Sequence, residues 1–534
     1  MKLFLVVKNH WLLILILIIG VYLRFYNFSA FMEWESDHGR DVLVAKHIVL
    51  YKEFVSVGPW TSVHLDGYRL IYPPHYYYFI ALLYFLLRDP IKIGYFYAFL
   101  GIATIIVAYF AGKEIFDKRT GLLCALSVSF SYSMILFSRS IWSHPILPLG
   151  IFLFLFFGFK AIHKNNLWYF LFASMIFGLI FFIHWLMLLL VPLYLIWFFY
   201  TARGIYSKVR GKGTILAIII VTFLFLGLSI PVFSGYKRDL NEAIFLVFKY
   251  LASLQDSFNG FLIGRFFSEL LNNLVGVFLV NFDLLRKIPF FKLSVYLITL
   301  LWIAFGFYKK EIKENFIIIS LGLFIGLILF SLFSISQDQI LFTGRVGWYQ
   351  FSTLSSLIFI ITAYVLSRFG GDKFIFALFL LFFYLSIMPL VNFYSQVSNT
   401  QFDYQVCNEV AKDIADEVTK EKIGNFLIFG SNPTSDVHYA DWNTPQYWFL
   451  LEERLQKKLI KVVNITEASQ NMQIINGNHP EKLFLVCIPT VSEKINELYS
   501  SEEVSYFMET TPVAQNRVIS KKIEKDRYII YALE

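Results

Sequence analysis

Apolar runs of nearly bilayer length, parted by short polar joints, recur along the first 390 or so positions of the chain. Residues 11–22 form the first such run, and ten more follow at 93–112, 122–137, 145–162, 167–183, 185–200, 215–233, 293–308, 316–333, 348–366 and 374–391. A helix that crosses the hydrocarbon core needs roughly 20 such residues. The pattern predicts an all-α polytopic membrane protein with about 11 transmembrane helices. Two apolar segments between the first and second runs are too short to cross. Residues 41–51 place Val42, Ala45 and Val49 on one helical face, and residues 76–87 form a second short run. Both are expected to lie in the membrane interface or to re-enter it.

Past Phe393 the period changes. Val406, Val410, Ile414 and Val418 recur every four residues, as on a soluble amphipathic helix. Residues 426–429 read as a strand, 442–456 as a helix, and 459–463, 483–488 and 528–532 as further strands. Strands alternating with helices predict a small α/β domain. The chain therefore divides into a membrane module, residues 1–394, and an α/β domain, residues 395–534.

Composition agrees with the pattern: 57% of residues are hydrophobic and 16% charged, which excludes an ordinary soluble protein. The net charge of +8 would suit nucleic acid, but its placement does not. Lysine and arginine gather in alternate short joints, at Lys113, Lys118 and Arg119, at Arg203, Lys208, Arg210 and Lys212, at Lys309, Lys310 and Lys313, and at Arg368 and Lys373. That alternation is the positive-inside bias of a multi-pass protein of the cell membrane. With Lys2 and Lys8 ahead of the first run, it sets the N-terminus in the cytoplasm and the tail outside. Counting residues 76–87 as a span would reverse the basic loop at 203–212. Three cysteines give no disulfide framework and no metal-ligand spacing.

The densest chemistry follows the first run. Residues 33–41 hold four carboxylates, Glu33, Glu35, Asp37 and Asp41, together with His38 and Arg40. Neighbouring carboxylates do not all stay ionised without compensation, which Arg40, His38 or a divalent cation can supply. A carboxylate so held can take a proton from a hydroxyl as a general base. A solvated loop is the other reading of the same residues.

The Asp-x-x-Arg pattern at Asp37–Arg40, followed by Gly67 and then Tyr72-Pro73-Pro74-His75-Tyr76-Tyr77-Tyr78, resembles the polyprenyl-phosphate-dependent glycosyltransferases of the GT-C fold. These include the protein O-mannosyltransferases and the lipid A aminoarabinose transferase. The likeness is strongest over the first 200 or so residues. It implies an inverting hexosyl or pentosyl transfer from a polyprenyl-phosphate sugar to an extracytoplasmic protein, lipid or glycan. It also implies Asp37 as the reactive carboxylate, with His38 and Arg40 beside it. Many relatives carry a second acidic residue in the next external loop, where this chain has Ser143-His144-Pro145. A divalent ion would then draw on Asp37, Glu35 and His144. Tyr72 stands where the aminoarabinose transferase often has a lysine, so contacts to the donor fall to Tyr72, Arg69, Arg139 and Arg345. Arg345, beside Trp348 and Tyr349, also reads as an interfacial anchor, His184 as a helix-end residue, and Tyr76–Tyr78 as an interfacial belt. Two rival functions are a flippase for lipid-linked sugars and an inactive homologue serving assembly. The predicted spans carry almost no charge, whereas transporters tend to place ionisable groups at mid-membrane.

Overall fold

The structure is a computed structural model that describes residues 2–34, 36–55, 58, 60–65, 68–209, 314–335, 352–368, 373–381, 404–424, 426–431, 445–462, 472–474, 481–487, 517–525 and 528–534, with isolated positions between 267 and 391. The expected spans at 215–233 and 293–308, and the loop that holds Arg345, lie outside the described residues.

Helix α1 (Lys2–Phe25) leads to α2 (Ser36–Tyr51), a hairpin of β1 (Trp60–Leu65) and β2 (Tyr68–Ile71), and α3 (His75–Leu87). Helices α4 (Pro90–Ile115), α5 (Lys118–Phe130), α6 (Tyr132–Phe137), α7 (Ile146–Lys164) and α8 (Leu167–Ile183) follow. A 3₁₀ turn (Trp185–Leu190) opens α9 (Val191–Val209), and α10 (Glu314–Ile335) and α11 (Ser352–Leu366) come later in the chain. Among the described residues three helices are long and apolar enough to cross a membrane: Pro90–Ile115, Ile146–Lys164 and Leu186–Gly204. Shorter apolar helices stand beside them at Trp11–Phe25, Leu167–Ile183, Glu314–Leu329 and Ser352–Leu366. The protein is a helical membrane protein with a small C-terminal sheet.

Residues 122–137, expected as one span, are two helices. The break at Ser131 frees the last carbonyls of α5, and a helix end leaves such groups without intrahelical partners. Arg24, fully buried near the end of α1, donates to two of them, Val128 O at 2.9 Å and Ser129 O at 3.2 Å. Arg139, just after α6, returns the service. Its guanidinium donates to the carbonyls of Arg24 (3.0 Å), Tyr26 (3.1 Å), Asn27 (3.3 Å) and Phe31 (3.4 Å), which closes the end of α1. One buried arginine thus finishes α5 and the other finishes α1.

Buried apolar side chains fall into two cores. One joins α1 and α4–α11 in the helical bundle. The other joins α2, α3 and the start of α4 to the tail. In the tail, α12 (Tyr404–Glu421) precedes β3 (Phe426–Ser431), α13 (Pro445–Leu455), β4 (Ile460–Val462), β5 (Met472–Ile474), β6 (Lys482–Cys487), β7 (Ile519–Lys525) and β8 (Tyr528–Leu533). The main sheet has the order β3-β6-β8-β7, with β3 and β6 parallel and the remaining pairs antiparallel; β4 and β5 form a separate pair. Val406, Val410, Ile414 and Val418, the periodic face read from the sequence, are all buried. The tail therefore packs directly on the helices that follow α1.

Candidate active site

Asp37 stands in the first turn of α2. Its carboxylate is in place to meet the positive end of the helix dipole and the unpaired N–H groups of that turn. The helix turns apolar only from Val42, so its polar first turns mark one end and its buried stripe fixes the other.

Arg40 ties the acidic cluster together. Its Nη1 donates to Asp37 Oδ1 at 2.7 Å, and its Nη2 and Nε donate to Asp41 Oδ1 at 2.8 Å and 3.0 Å. The two carboxylates differ in setting, since the Asp37 side chain is 35% exposed and that of Asp41 only 2%. One guanidinium thus joins a carboxylate that solvent or substrate can reach to one that neither can. Burial pushes the Asp41 carboxyl up to about 7, with Arg40 pulling it back and Asp37 adding to the rise. Burial opposes the charge on Arg40, yet Asp37 and Asp41 hold it well above the ordinary guanidinium range. The Tyr77 hydroxyl is buried close enough to this pair to feel both charges, yet it makes no hydrogen bond of good geometry among the described residues. Tyr76, next to it, shares a hydrogen bond of 3.1 Å with Tyr97.

A file of rings runs away from this cluster. The His38 ring meets Trp142 edge-on at 5.9 Å, Trp142 lies 4.0 Å from His144, and His144 meets His184 at 4.4 Å. Tyr72 lies 4.6 Å beyond, against His184. Four segments remote in sequence converge here: α2, the loop before α7, the α8–α9 junction and the turn before α3. Gly58 helps hold that turn, because its N–H donates to Tyr72 O at 2.7 Å and a Cβ there would stand 2.6 Å from Pro73 O. Burial lowers His38 to about 4, against a small lift from Asp37. It lowers His184 to about 3 and His144 well below the ordinary imidazole range. All three rings are therefore neutral at pH 7. Leu186 N–H donates to His184 Nδ1 at 3.0 Å, so the ring proton of His184 sits on Nε2.

The structure thus gathers Asp37, His38 and Arg40 on one helix end and leads through rings to His144 and Tyr72. Arg139 is elsewhere in function: its donors are taken by backbone oxygens, and its side chain is buried. Arg69 lies on β2, where it pairs in register with His64 of β1. Glu35 and Arg345 lie outside the described residues. Glu33 forms a parallel bridge with Ser140 and donates its N–H to Arg139 O at 3.3 Å, docking the strand before α2 on the loop before α7.

For the divalent ion, the expected ligands were Asp37, Glu35 and His144. Among the described residues no three His, Cys, Asp or Glu side chains gather to hold a metal, and Asp37 is already paired to Arg40. Glu35, the third named ligand, lies outside the described residues, and no step below passes through an ion.

Three further residues belong to the site: Asp41, Tyr77 and His184. Asp41 was counted in the acidic cluster, but nothing in its pattern shows that it is the buried member. Tyr77 read as part of an interfacial belt, and His184 as a helix-end residue. His184 does end α8, and it also links His144 to Tyr72.

Residues 72–229 match the family described as dolichyl-phosphate-mannose-protein mannosyltransferase. The fold is similar to that of ArnT from Cupriavidus metallidurans, solved bound to undecaprenyl phosphate, with a TM-score of 0.51, 11% identity and 98% of each chain covered. The Archaeoglobus fulgidus oligosaccharyltransferase in the apo form matches with a TM-score of 0.44 and 13% identity over 82% of this chain; this chain spans 64% of that relative's length. The A. fulgidus enzyme AglB, in complex with an inhibitory peptide and a dolichol-phosphate, gives a TM-score of 0.44 and 12% identity, covering 90% of this chain and 70% of that one. No curated protein matches the chain. Residues 72–229 are thus similar to that mannosyltransferase family, and the fold is shared along nearly the whole chain with ArnT.

Proposed function

We propose that the protein transfers a sugar from a polyprenyl-phosphate-linked donor to an extracytoplasmic acceptor, with inversion at the anomeric carbon. The observation that carries this reading is the arrangement of Asp37, Arg40 and Asp41. A part-exposed carboxylate is held by an arginine that is itself anchored on a buried carboxylate. In the reaction, the acceptor nucleophile bonds to the anomeric carbon while the bond from that carbon to the phosphate oxygen breaks. The lipid phosphate leaves with the bonding pair, and Asp37 takes the acceptor's proton. Asp37 Oδ1 is bound to Arg40, which fixes the direction of its second oxygen without removing its access to substrate. A general base in this position contributes about 10²–10⁴ in rate. Trp142 and Tyr72, the partly exposed members of the ring file, offer aromatic faces that suit a sugar ring. The file holds no charge that would compete with the acceptor for the proton. Arg69 and Arg345 are the cations assigned to the lipid phosphate; Arg139 is left out because its fork is full.

The family match over residues 72–229 and the ArnT-like fold support this reading, and the lipid phosphate in ArnT suggests the donor class. The test is transfer from a polyprenyl-phosphate sugar to an acceptor mixture by purified protein. Asp37→Asn should lose about 10²–10⁴ of the rate while folding normally. Full turnover by Asp37→Asn, or none by wild type with any polyprenyl-phosphate sugar, would overturn the assignment.

A further inference from the structure

The mechanism leaves unused a buried cluster of charges at the other end of α2. Lys46 and His47 are both buried there, although a charged residue is seldom fully enclosed unless paired. Their partners come from the tail. Glu452 of α13, whose side chain is fully enclosed, accepts from His47 Nε2 at 3.0 Å and stands 3.4 Å from Lys46 Nζ. It also accepts the N–H of Leu459 at 2.9 Å. Glu453 accepts from the same Lys46 at 2.9 Å and from the hydroxyl of Tyr84, on α3, at 3.1 Å. His47 Nδ1 faces Glu53 at 2.8 Å, and Glu53 in turn pairs with Lys458. Two adjacent carboxylates of one tail helix therefore hold both α2 and α3.

The tail also grips the other end of this stretch. Trp34, fully buried three residues before Asp37, lies edge-on to Tyr404 of α12 at 5.2 Å and to Phe449 of α13 at 5.9 Å. Between Trp34 and His47 lie Asp37, Arg40 and Asp41. From Asp37 to Lys46 the helix rises about 13 Å at its standard 1.5 Å per residue. A rigid rod held at both ends cannot turn about its axis, so the face that carries Asp37 is set by contacts remote from it. The Tyr84 bond does the same for α3, two helical turns from Tyr77 on the same face. Buried ion pairs add little net stability compared with apolar packing, but they tolerate no slip in register. An apolar contact alone would allow the helices to slide.

We infer that Glu452, with Glu453, is a positioning residue for the transfer reaction: the C-terminal unit acts as a brace that fixes α2 against α3 and so aims Asp37 and Arg40. The inference rests on the proposed function for what is aimed, and on the geometry alone for the brace.

The test uses the full chain in lipid nanodiscs, with the variants Glu452→Ala, Glu452→Gln and Tyr84→Phe. The readouts are kcat and donor KM for transfer, and amide hydrogen exchange over residues 37–47. Glu452→Ala should lower kcat about 10- to 100-fold, the scale of a misplacement near 1 Å. Donor KM should stay within about twofold, because no group that binds the donor is removed. Exchange over residues 37–47 should rise about tenfold or more as α2 loosens. Glu452→Gln should fall between wild type and Glu452→Ala, and Tyr84→Phe, which deletes one hydroxyl, covers the case in which Glu452→Ala does not fold. In an Asp37→Asn background Glu452→Ala should cost nothing further, since both act through the same carboxylate. Unchanged exchange in all three variants, or raised exchange with wild-type kcat, would overturn the brace. So would an undiminished loss in the Asp37→Asn background, which would make Glu452 merely structural. If wild type transfers no sugar, the proposed function falls and the exchange comparison alone decides the brace.

Discussion

Asp41 offers a test in which activity and stability move in opposite directions with pH. Burial lifts its carboxyl from 3.8 to about 7, so in the folded protein it gains its charge across neutral pH. Ionised, it accepts two of Arg40's N–H groups; protonated, it accepts them far more weakly, and Arg40 leans on Asp37 alone. Arg40 is then less firmly anchored, and Asp37, which it holds by Oδ1, is less firmly aimed. The transfer rate should therefore climb through about pH 7 and level off above it. Replacing Asp41 with Asn fixes the weak state. The loss is one charge-assisted interaction, about 1.5–3 kcal/mol, or roughly 10- to 150-fold in rate above pH 8. Stability runs the other way. The folded chain keeps a proton between pH 3.8 and about 7 that the unfolded chain releases, so stability declines as pH rises through that window. At 1.36 kcal/mol per unit the whole decline is on the order of 4 kcal/mol. Asp41→Asn should remove both slopes: a flat rate from pH 6 to 8, and an apparent Tm in detergent that no longer falls with pH. A limb near pH 7 that survives in Asp41→Asn would assign it to another group and refute the role given to Asp41.

Arg139→Ala should prevent the end of α1 from closing and cost about 3 kcal/mol or more, seen as a fall in detergent Tm, because several buried carbonyls lose their donor at once. Arg139→Ala with wild-type Tm would show those carbonyls to be satisfied otherwise. Arg345→Ala should weaken binding of a polyprenyl phosphate by about 1.5–3 kcal/mol in a direct binding assay; unchanged affinity would leave Arg345 an interfacial anchor. Single cysteines introduced at the tail surface should react with an impermeant reagent from outside, and cysteines in the 203–212 loop should not. The reverse pattern would invert the topology.

The periodic features were legible in the sequence. The apolar runs among the described residues became helices, residues 76–87 became α3, and the four-residue repeat of Val406, Val410, Ile414 and Val418 became the buried face of α12. Each of these follows from local spacing. The β1–β2 hairpin and strands β5 and β7 did not show, since short or edge strands have little pattern of their own. At the site, the charge density at residues 33–41 pointed to Asp37, but burial separates Asp37 from Asp41, and burial is a property of the packed chain. Arg139 shows the same limit from the other side. An arginine in an external loop reads as a ligand contact, and only the fold reveals four carbonyls around it. Nor does any local pattern join Lys46 and His47 to Glu452, which lies 405 residues beyond His47.

The paired arginines at the ends of α1 and α5 also set an order of events during synthesis. Arg139 follows Arg24 by 115 residues. At a ribosomal pace of about 5–20 residues per second, roughly 6–23 s separate the two. Throughout that interval the carbonyls at the end of α1 lack their final donor, and those ending α5 wait only for Arg24 to be free to turn. Helix α1 is thus finished only after α4, α5 and α6 have been made. Its C-terminal end stays open to water or to the insertion machinery until the loop before α7 arrives to seal it. The segment sealed at that moment runs directly into Asp37.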